Sequence, residues 1–279
     1  MSTETLHPYE SLTPDVIMDA VEQQGYVCDG RLLALNSYEN RVYQVGTEDG
    51  APLIAKFYRP GRWSDAQILE EHEFCYELAE QELPVVVPLM DKNKQSLFEK
   101  TVNDVRFRFA LYPRKGGHAP ELSNPDNLLI LGRLLGRIHR IGAVRPFSTR
   151  PRIDAQSFGH DSVAFIKEHF MPSGLQASYQ AISAGLLQKI DAILAQAGNI
   201  PYIRVHGDCH AGNILWRDNN AHFVDFDDAR MAPAVQDIWM LLSGDRAEQT
   251  AQLAEIVEGY DEFYEFKPRE LILAEALRA

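Results

Sequence analysis

Between His206 and Asp227 this chain sets carboxylates, a carboxamide and imidazoles at spacings that could do chemistry. The run is His206-Gly-Asp-Cys-His-Ala-Gly-Asn213, with Phe223-Val-Asp-Phe-Asp227 just after it. Residues 213–217 and 222–226 read as two short strands, joined by the turn-forming cluster Asp218-Asn219-Asn220. A hairpin closing about Asn219 sets Asn213 opposite Asp225 on one face, with Cβ atoms roughly 5 Å apart. An amide oxygen and a carboxylate so placed can share one hard cation. Holding an ion by few protein oxygens, with phosphates and water supplying the rest, suits Mg²⁺. Asp208 lies in the loop before the hairpin, without a partner in its own segment, and is placed to act as a base beside the ion. A base, then a metal-binding amide, then a metal-binding acid after a hairpin is the order used in phosphoryl transfer. His206-x-Asp-x-His210 also reads as a set of transition-metal ligands, but no third ligand follows at a typical zinc spacing. Cys209 reads as a small loop residue, with a reactive thiol as the competing reading.

The longer wording is more specific. His206-Gly-Asp-Cys-His-Ala-Gly-Asn-Ile-Leu-Trp-Arg217, followed by Val224-Asp-Phe-Asp-Asp-Ala-Arg230, resembles the aminoglycoside and choline kinase branch of the protein-kinase-like fold. Within it, the wording is similar to the bacterial stress-response serine/threonine kinases. Leu35-Asn-Ser-Tyr-Glu-Asn-Arg-Val-Tyr43 and Val235-Gln-Asp-Ile-Trp-Met-Leu-Leu242 carry the same resemblance, so it covers nearly the whole chain. It implies an α+β, bilobal fold: residues 1–112 a small antiparallel β-sheet lobe with a helix that binds ATP, residues 113–279 a larger, mainly helical lobe. It implies ATP and Mg²⁺ as cofactors, Asp208 as catalytic base, and Asp225 as a catalytic residue through the metal it holds together with Asn213. Asp227 would help through water or a second ion. Asp237 would hydrogen-bond the catalytic-loop backbone, unless it is simply an acid at a helix N-terminus. The acceptor would be a Ser or Thr hydroxyl of a protein substrate; a small hydroxyl compound is the alternative. A nucleotide-binding module without catalysis and a metal hydrolase are the readings from other classes.

The remaining sequence must position these groups. Thr13-Pro14-Asp15 opens a helix that Gly25 ends. Strands follow at 31–36, 41–46 and 52–58, and Ser37-Tyr-Glu-Asn40 forms the turn that would cover the nucleotide phosphates. It lacks the Gly-rich sequence of protein kinases; the resemblance carries an ATP-site serine onto Ser37. Lys56 sits inside the apolar run Leu53–Tyr58, either as a snorkelling edge residue or as the lysine that binds the α and β phosphates. Ser64-x-x-Gln67 is a capping box for a helix whose stripe Ile68, Cys75 and Leu78 includes Glu71, while Glu70 and Glu73 flank it. A carboxylate on a buried stripe needs a partner, and Lys56 is the best candidate. Residues 84–90, 96–102 and 105–112 read as strands. Tyr112-Pro-Arg-Lys-Gly-Gly117 then breaks the pattern: a hinge meeting adenine near Tyr112 and Arg114, or a plain exit loop.

Beyond it the pattern is mainly helical. Asn124-Pro-Asp126 caps a helix with Leu128, Leu131, Leu135 and Ile138 inward, Gly132 and Gly136 admitting a close neighbour, and His139 packed rather than catalytic. Further helices are expected at 161–170, 175–197, 234–242 and 248–264. The C-terminal stretch 271–279 ends within an apolar helical pattern, which suggests a shortened lobe.

The formal charge of −13 over 279 residues argues against general attraction to nucleic acid or anionic lipid. No apolar run approaches membrane-spanning length. The start, Met-Ser-Thr-Glu-Thr-Leu-His-Pro, lacks a signal peptide's features, and three widely spaced cysteines suit a reducing cytoplasm. From Asp225 to Asp237 there are eleven residues and no Ser, Thr or Tyr, which leaves no phosphorylated activation loop. His210 stands where protein kinases carry Lys.

Overall fold

Antiparallel pairing organises the first part of the chain. Strands β1 (Cys28–Leu35), β2 (Arg41–Thr47), β3 (Leu53–Phe57), β4 (Phe98–Val102) and β5 (Val105–Pro113) form one sheet in the order β1-β2-β3-β5-β4. The computed structural model describes residues 9–279, so the N-terminal stretch read above for a signal peptide lies outside them. The chain divides into two compact units, one ending at Gly117 and one running from His118 to Ala279.

In the first unit the sheet is covered on both faces, which is why β3 reads as an apolar run rather than an alternation. Helix α1 (Pro14–Glu22) lays Ile17, Ala20 and Val21 against Leu53, Ala55, Phe57, Phe107 and Phe109. The Phe57 and Phe109 rings stack at 5.1 Å. Each such large apolar side chain contributes about 1.5–3 kcal/mol when fully buried. On the other face Ile68 of helix α2 (Asp65–Glu80) packs with Tyr58 and Ala110. The α2 capping box forms: Gln67 N donates to Ser64 Oγ at 3.3 Å, and Ser64 N donates to Gln67 Oε1 at 2.9 Å. Residues 84–90 are not a strand. Pro84 and Pro88 lack the N–H a ladder requires, and the segment meets the sheet through Leu89 N donating to Leu111 O at 2.6 Å.

In the second unit helix α3 (Pro125–Gly142) and helix α7 (Arg246–Asp261) pack at backbone contact. A Cβ on Gly136 would lie 2.5 Å from the Tyr260 carbonyl oxygen, and one on Gly132 would meet that of Ile256. Between them in sequence come a π-helical turn (Ala155–His160), helix α4 (Asp161–His169) and helix α5 (Gln176–Ala197). Strand β6 (Ile203–Val205) enters the chemical loop. The hairpin β7 (Ile214–Arg217) and β8 (Asn220–Phe223) follows, and strand β9 (Arg230–Ala232) returns to pair with β6. Helix α6 (Val235–Trp239) is shorter than expected. The apolar C-terminal stretch forms a 3₁₀ segment, Pro268–Leu273, and a short helix α8 (Ala274–Arg278).

The hairpin register differs from the expectation by one residue. Arg217 pairs with Asn220 and Ile214 with Phe223. Asp218 and Asn219 alone form the turn, with φ of 51° and 56°, the two left-handed residues of a type I′ hairpin. Two turn residues match the strand twist better than three, so closure falls between Asp218 and Asn219 rather than about Asn219. Asn213 therefore faces Val224, whose N–H donates to Asn213 O at 3.0 Å, and not Asp225. Asp225 leaves the strand with φ 60° and ψ 61° and opens a 3₁₀ turn, Phe226–Asp228.

Candidate active site

In the first unit three of the residues singled out by sequence share one environment. Lys56 is on a central strand, between Val42 and Ala110, and only 5% exposed, so it is not a snorkelling edge residue. Its Nζ lies 5.1 Å from the Tyr58 ring centroid, within cation–π range. Helix α2 buries Glu71, half-buries Glu70 and exposes Glu73. The Tyr112 hydroxyl lies 3.1 Å from that of Tyr58. Burial pushes its pKa well up; the charge of Glu71 adds to the rise and Lys56 opposes it. Ser37 sits half-buried in the β1–β2 turn and Arg114 is exposed beyond β5; neither is hydrogen-bonded to that group among the described residues.

In the second unit the loop after β6 is fixed from beneath. Asp237, fully buried on α6, accepts from His206 N through Oδ2 and from Gly207 N through Oδ1, both at 2.8 Å. The same Oδ2 accepts from His139 Nε2 at 3.0 Å, and His139 Nδ1 lies 2.9 Å from the Tyr260 hydroxyl. Burial alone would raise the Asp237 carboxyl. The His139 hydrogen bond, the His139 and His206 imidazoles and the Gly207 N–H outweigh it and hold the group below the usual range. Gly207 has φ +85°, and a Cβ there would strike the Asp228 carbonyl, so only glycine fits this turn.

His206 ties the two halves of the stretch together. Its Nε2 lies 2.9 Å from Val224 O, and its Nδ1 accepts from Asp208 N at 3.3 Å. A carbonyl can only accept, so Nε2 carries the proton and Nδ1 is the acceptor. The His206 ring also lies 4.4 Å from that of Phe226.

Asp208 is half-buried and has partners in its own segment, contrary to the expectation. Asn213 Nδ2 donates to Asp208 O at 2.9 Å and to Oδ2 at 3.2 Å. His210 Nε2 lies 3.6 Å from the same Oδ2. His210 Nδ1 accepts from Gly212 N at 2.9 Å, which aims the Nε2 side of the ring at the carboxylate. The Asp208 pKa is raised. Burial is the main cause, the His210 and His206 imidazoles oppose it, and Asp228 and Asp225 add to it.

With Nδ2 committed to Asp208, the Asn213 carbonyl oxygen faces away from that carboxylate. Asp225 is exposed at the head of its 3₁₀ turn. An amide oxygen and an exposed carboxylate are donors of the kind Mg²⁺ takes. Asp227, by contrast, is buried, and its carbonyl accepts from the guanidinium of buried Arg150, which also donates to Ala229 O at 2.6 Å. Among the described residues no group of three or more His, Cys, Asp or Glu forms a metal cluster. Cys209 is buried and its thiol is pushed well up, mainly by burial and then by Asp237 and Asp208; this is an inert loop residue, not a reactive thiolate.

Three further residues support the site: Arg150, Tyr260 and Gln236, whose Nε2 donates to Gly207 O at 3.1 Å. Nothing in their spacing marks them, since each acts through the backbone or one other side chain.

Residues 31–271 match the phosphotransferase enzyme family. The chain is 45% identical to stress response kinase A of Escherichia coli O157:H7 over 272 residues, 97% of this chain and 80% of that protein. It is 44% identical, with the same coverage, to the serine/threonine protein kinase RdoA of Salmonella typhimurium. Among solved structures it is similar to an amicoumacin kinase in complex with AMP-PNP, Ca²⁺ and its ligand. That likeness has a TM-score of 0.76 at 20% identity, covering 93% of this chain and 81% of that one. A microcompartment-associated aminopropanol kinase gives the same TM-score at 17% identity, covering 95% and 86%. Likeness at such low identity speaks to the fold, which is α+β and protein-kinase-like. On the match over most of its length and the identity to these kinases, the chain belongs to the phosphotransferase enzyme family.

Proposed function

We propose that this kinase transfers the γ-phosphate of ATP to a Ser or Thr hydroxyl of a protein, with Asp208 as base. The observation that carries the phosphotransfer reading is the fixing of Asp208. Its backbone hangs from buried Asp237 through His206 and Gly207, and its carboxylate is held by Asn213. A carboxylate in a set orientation, with its proton affinity raised by burial, can orient an acceptor hydroxyl and take its proton. The fixed loop lowers the entropic cost of alignment. Asn213 and Asp225 would hold Mg²⁺, which when bound would offset charge on the phosphates. Lys56, set by Glu71, would bind the α and β phosphates, and Ser37, Tyr112 and Arg114 would line the nucleotide site. The unit ending near Tyr112 to Gly117 would thus be the nucleotide lobe. Localisation in the cytoplasm fits this reading; among the described residues no helix is long and apolar enough to cross a membrane.

The protein acceptor is supported by the names of the relatives at 44–45% identity. A small-molecule acceptor is the second reading. It is favoured by the short span from Asp225 to α6, which is taken up by a 3₁₀ turn and β9 and leaves no phosphorylatable loop. The test incubates the enzyme with γ-labelled ATP and either mixed protein acceptors or a panel of amino alcohols and aminoglycosides, with products identified by mass spectrometry. Phosphoserine or phosphothreonine on protein supports the first reading. Label only on small hydroxyl compounds overturns it in favour of the second.

A further inference from the structure

A chain of hydrogen bonds runs through the first unit, and of its four members only the last, Tyr112, has a part in the chemistry above. It starts at Ser96, in the loop before β4, whose hydroxyl lies 2.8 Å from His72 Nδ1. His72 Nε2 lies 2.8 Å from the Tyr58 hydroxyl, which lies 3.1 Å from that of Tyr112. Four places are joined: the loop ahead of β4, helix α2, the residue after β3 and the end of β5. Ser96, His72 and Tyr58 are all buried, so breaking a link strands a desolvated polar group. Apolar residues of similar shape would fill the same space without that cost. Packing alone therefore does not account for the chain.

What flanks its middle does. Lys56 lies two residues before Tyr58, and its ammonium sits over the Tyr58 ring. Glu71 is the neighbour of His72 on the buried face of α2. One side chain thus links strand and helix: the face of the Tyr58 ring takes the Lys56 cation, and the Tyr58 hydroxyl meets His72, the helix residue beside Glu71. Successive helix residues are set about 100° apart, so pinning His72 also fixes the direction of Glu71. Contacts between apolar side chains tolerate small rotations of a helix; hydrogen bonds of this length do not. We propose that Tyr58 and His72, anchored at the ends by Ser96 and Tyr112, are positioning residues that hold Lys56 and Glu71 ready for the nucleotide phosphates. The response of the Tyr112 hydroxyl to both charges agrees with that placement. The inference rests on the reading of Lys56 as a phosphate-binding residue.

The test is calorimetric titration of Mg·ATP, without acceptor, into the full chain and six variants, with melting temperatures measured in parallel. Lys56→Met tests the underlying reading and should weaken binding tenfold or more, at about the size of a lost charged hydrogen bond. His72→Leu breaks the chain, and Tyr58→Phe keeps the ring over Lys56 but loses the central hydroxyl. Each should weaken binding about three- to tenfold. Ser96→Ala should lie between these and the parent. His72→Gln keeps a side-chain amide able to donate to or accept from the Tyr58 hydroxyl and should return to within about twofold of the parent. Leu78→Ala leaves a cavity elsewhere on the buried face of α2; it should lose melting temperature and keep the parent's affinity. Parent affinity in both Tyr58→Phe and His72→Leu, with Lys56→Met weakened, overturns the positioning role alone. Loss of affinity in Leu78→Ala equal to that in His72→Leu overturns it too, by making the effect one of general stability. Parent affinity in Lys56→Met overturns the reading beneath it and the inference together. Tyr58→Phe preserves shape and keeps the test decisive should His72→Leu fail to fold.

Discussion

The two units carry their polar groups in different ways. In the first, Lys56 and Glu71 stand on a strand and a helix, whose regular geometry sets their direction and whose seating the Tyr58–His72 hydrogen bonds reinforce. In the second, Asp208, Asn213 and Asp225 stand on loops and short turns whose flanking backbone is held by buried side chains. A side chain on a regular element inherits its direction from the period of that element. One on a loop inherits it from whatever satisfies the loop's backbone, here Asp237, His206 and Arg150. The first arrangement should therefore fail gradually under substitution, and the second abruptly.

The sharpest test of that difference is Asp237. Asp237→Ala leaves His139 and the N–H groups of His206 and Gly207 without their acceptor, inside the core. A stability loss of about 3–5 kcal/mol is expected in denaturant unfolding, by analogy with breaking a buried ion pair. Activity should fall further than the folded fraction explains. A loss below 1 kcal/mol would mean that the loop is held by other contacts.

The helix platform comes next. Gly136→Ala puts a Cβ 2.5 Å from the Tyr260 carbonyl, and forcing α3 from α7 should cost about 1–3 kcal/mol. Because Tyr260 bonds His139, the turnover should also drop. Unchanged stability would show that the helices can separate without strain.

The capping box of α2 gives a smaller effect on the regular side. Ser64→Ala should cost about 1 kcal/mol and leave turnover per folded molecule nearly unchanged, since the rest of α2 still aims Glu71. A large loss of turnover would erase the contrast between the units.

The smallest effect is confined to acid. Asp237 is held below its ordinary 3.8 in the folded protein. Its stabilising contribution is therefore fully present above that value and is lost only as the pH falls below about 4, through the folded-state value. Unfolding free energy measured from pH 7 to pH 3 should show this loss at the acid end, and Asp237→Asn should flatten it. A loss appearing above pH 5 would belong to other groups.

How much of this was legible in the sequence follows the same division. The capping box, the buried position of Glu71, the strand that carries Lys56 and the close-packing glycines of α3 all follow from local pattern, because their environment repeats with the element; that the strand is central, not an edge, does not. Residues 84–90 misled by composition: valines favour a strand, but two prolines deny it the ladder. The hairpin misled by symmetry, since three polar residues suggested a three-residue turn where two left-handed ones suffice. The two-residue turn sets Asn213 opposite Val224, so strand register does not bring Asn213 and Asp225 face to face, and what they share is oxygen donors of the kind Mg²⁺ takes. Arg150, Tyr260 and Gln236 were not legible, because partners distant in sequence define what they do.

The central claim is that Asp208 serves the acceptor while Asp225 serves the metal. Titrating ATP with and without Mg²⁺ into Asp208→Asn and Asp225→Asn, beside turnover, tests it most directly. Asp208→Asn should bind Mg·ATP with near-parent affinity while transfer slows by about 10²- to 10⁴-fold. Asp225→Asn should lose the magnesium dependence of nucleotide binding together with turnover, and Asn213→Ala should follow it in milder form. Loss of magnesium-dependent binding in Asp208→Asn, with Asp225→Asn unaffected, would contradict the account by reversing the two roles.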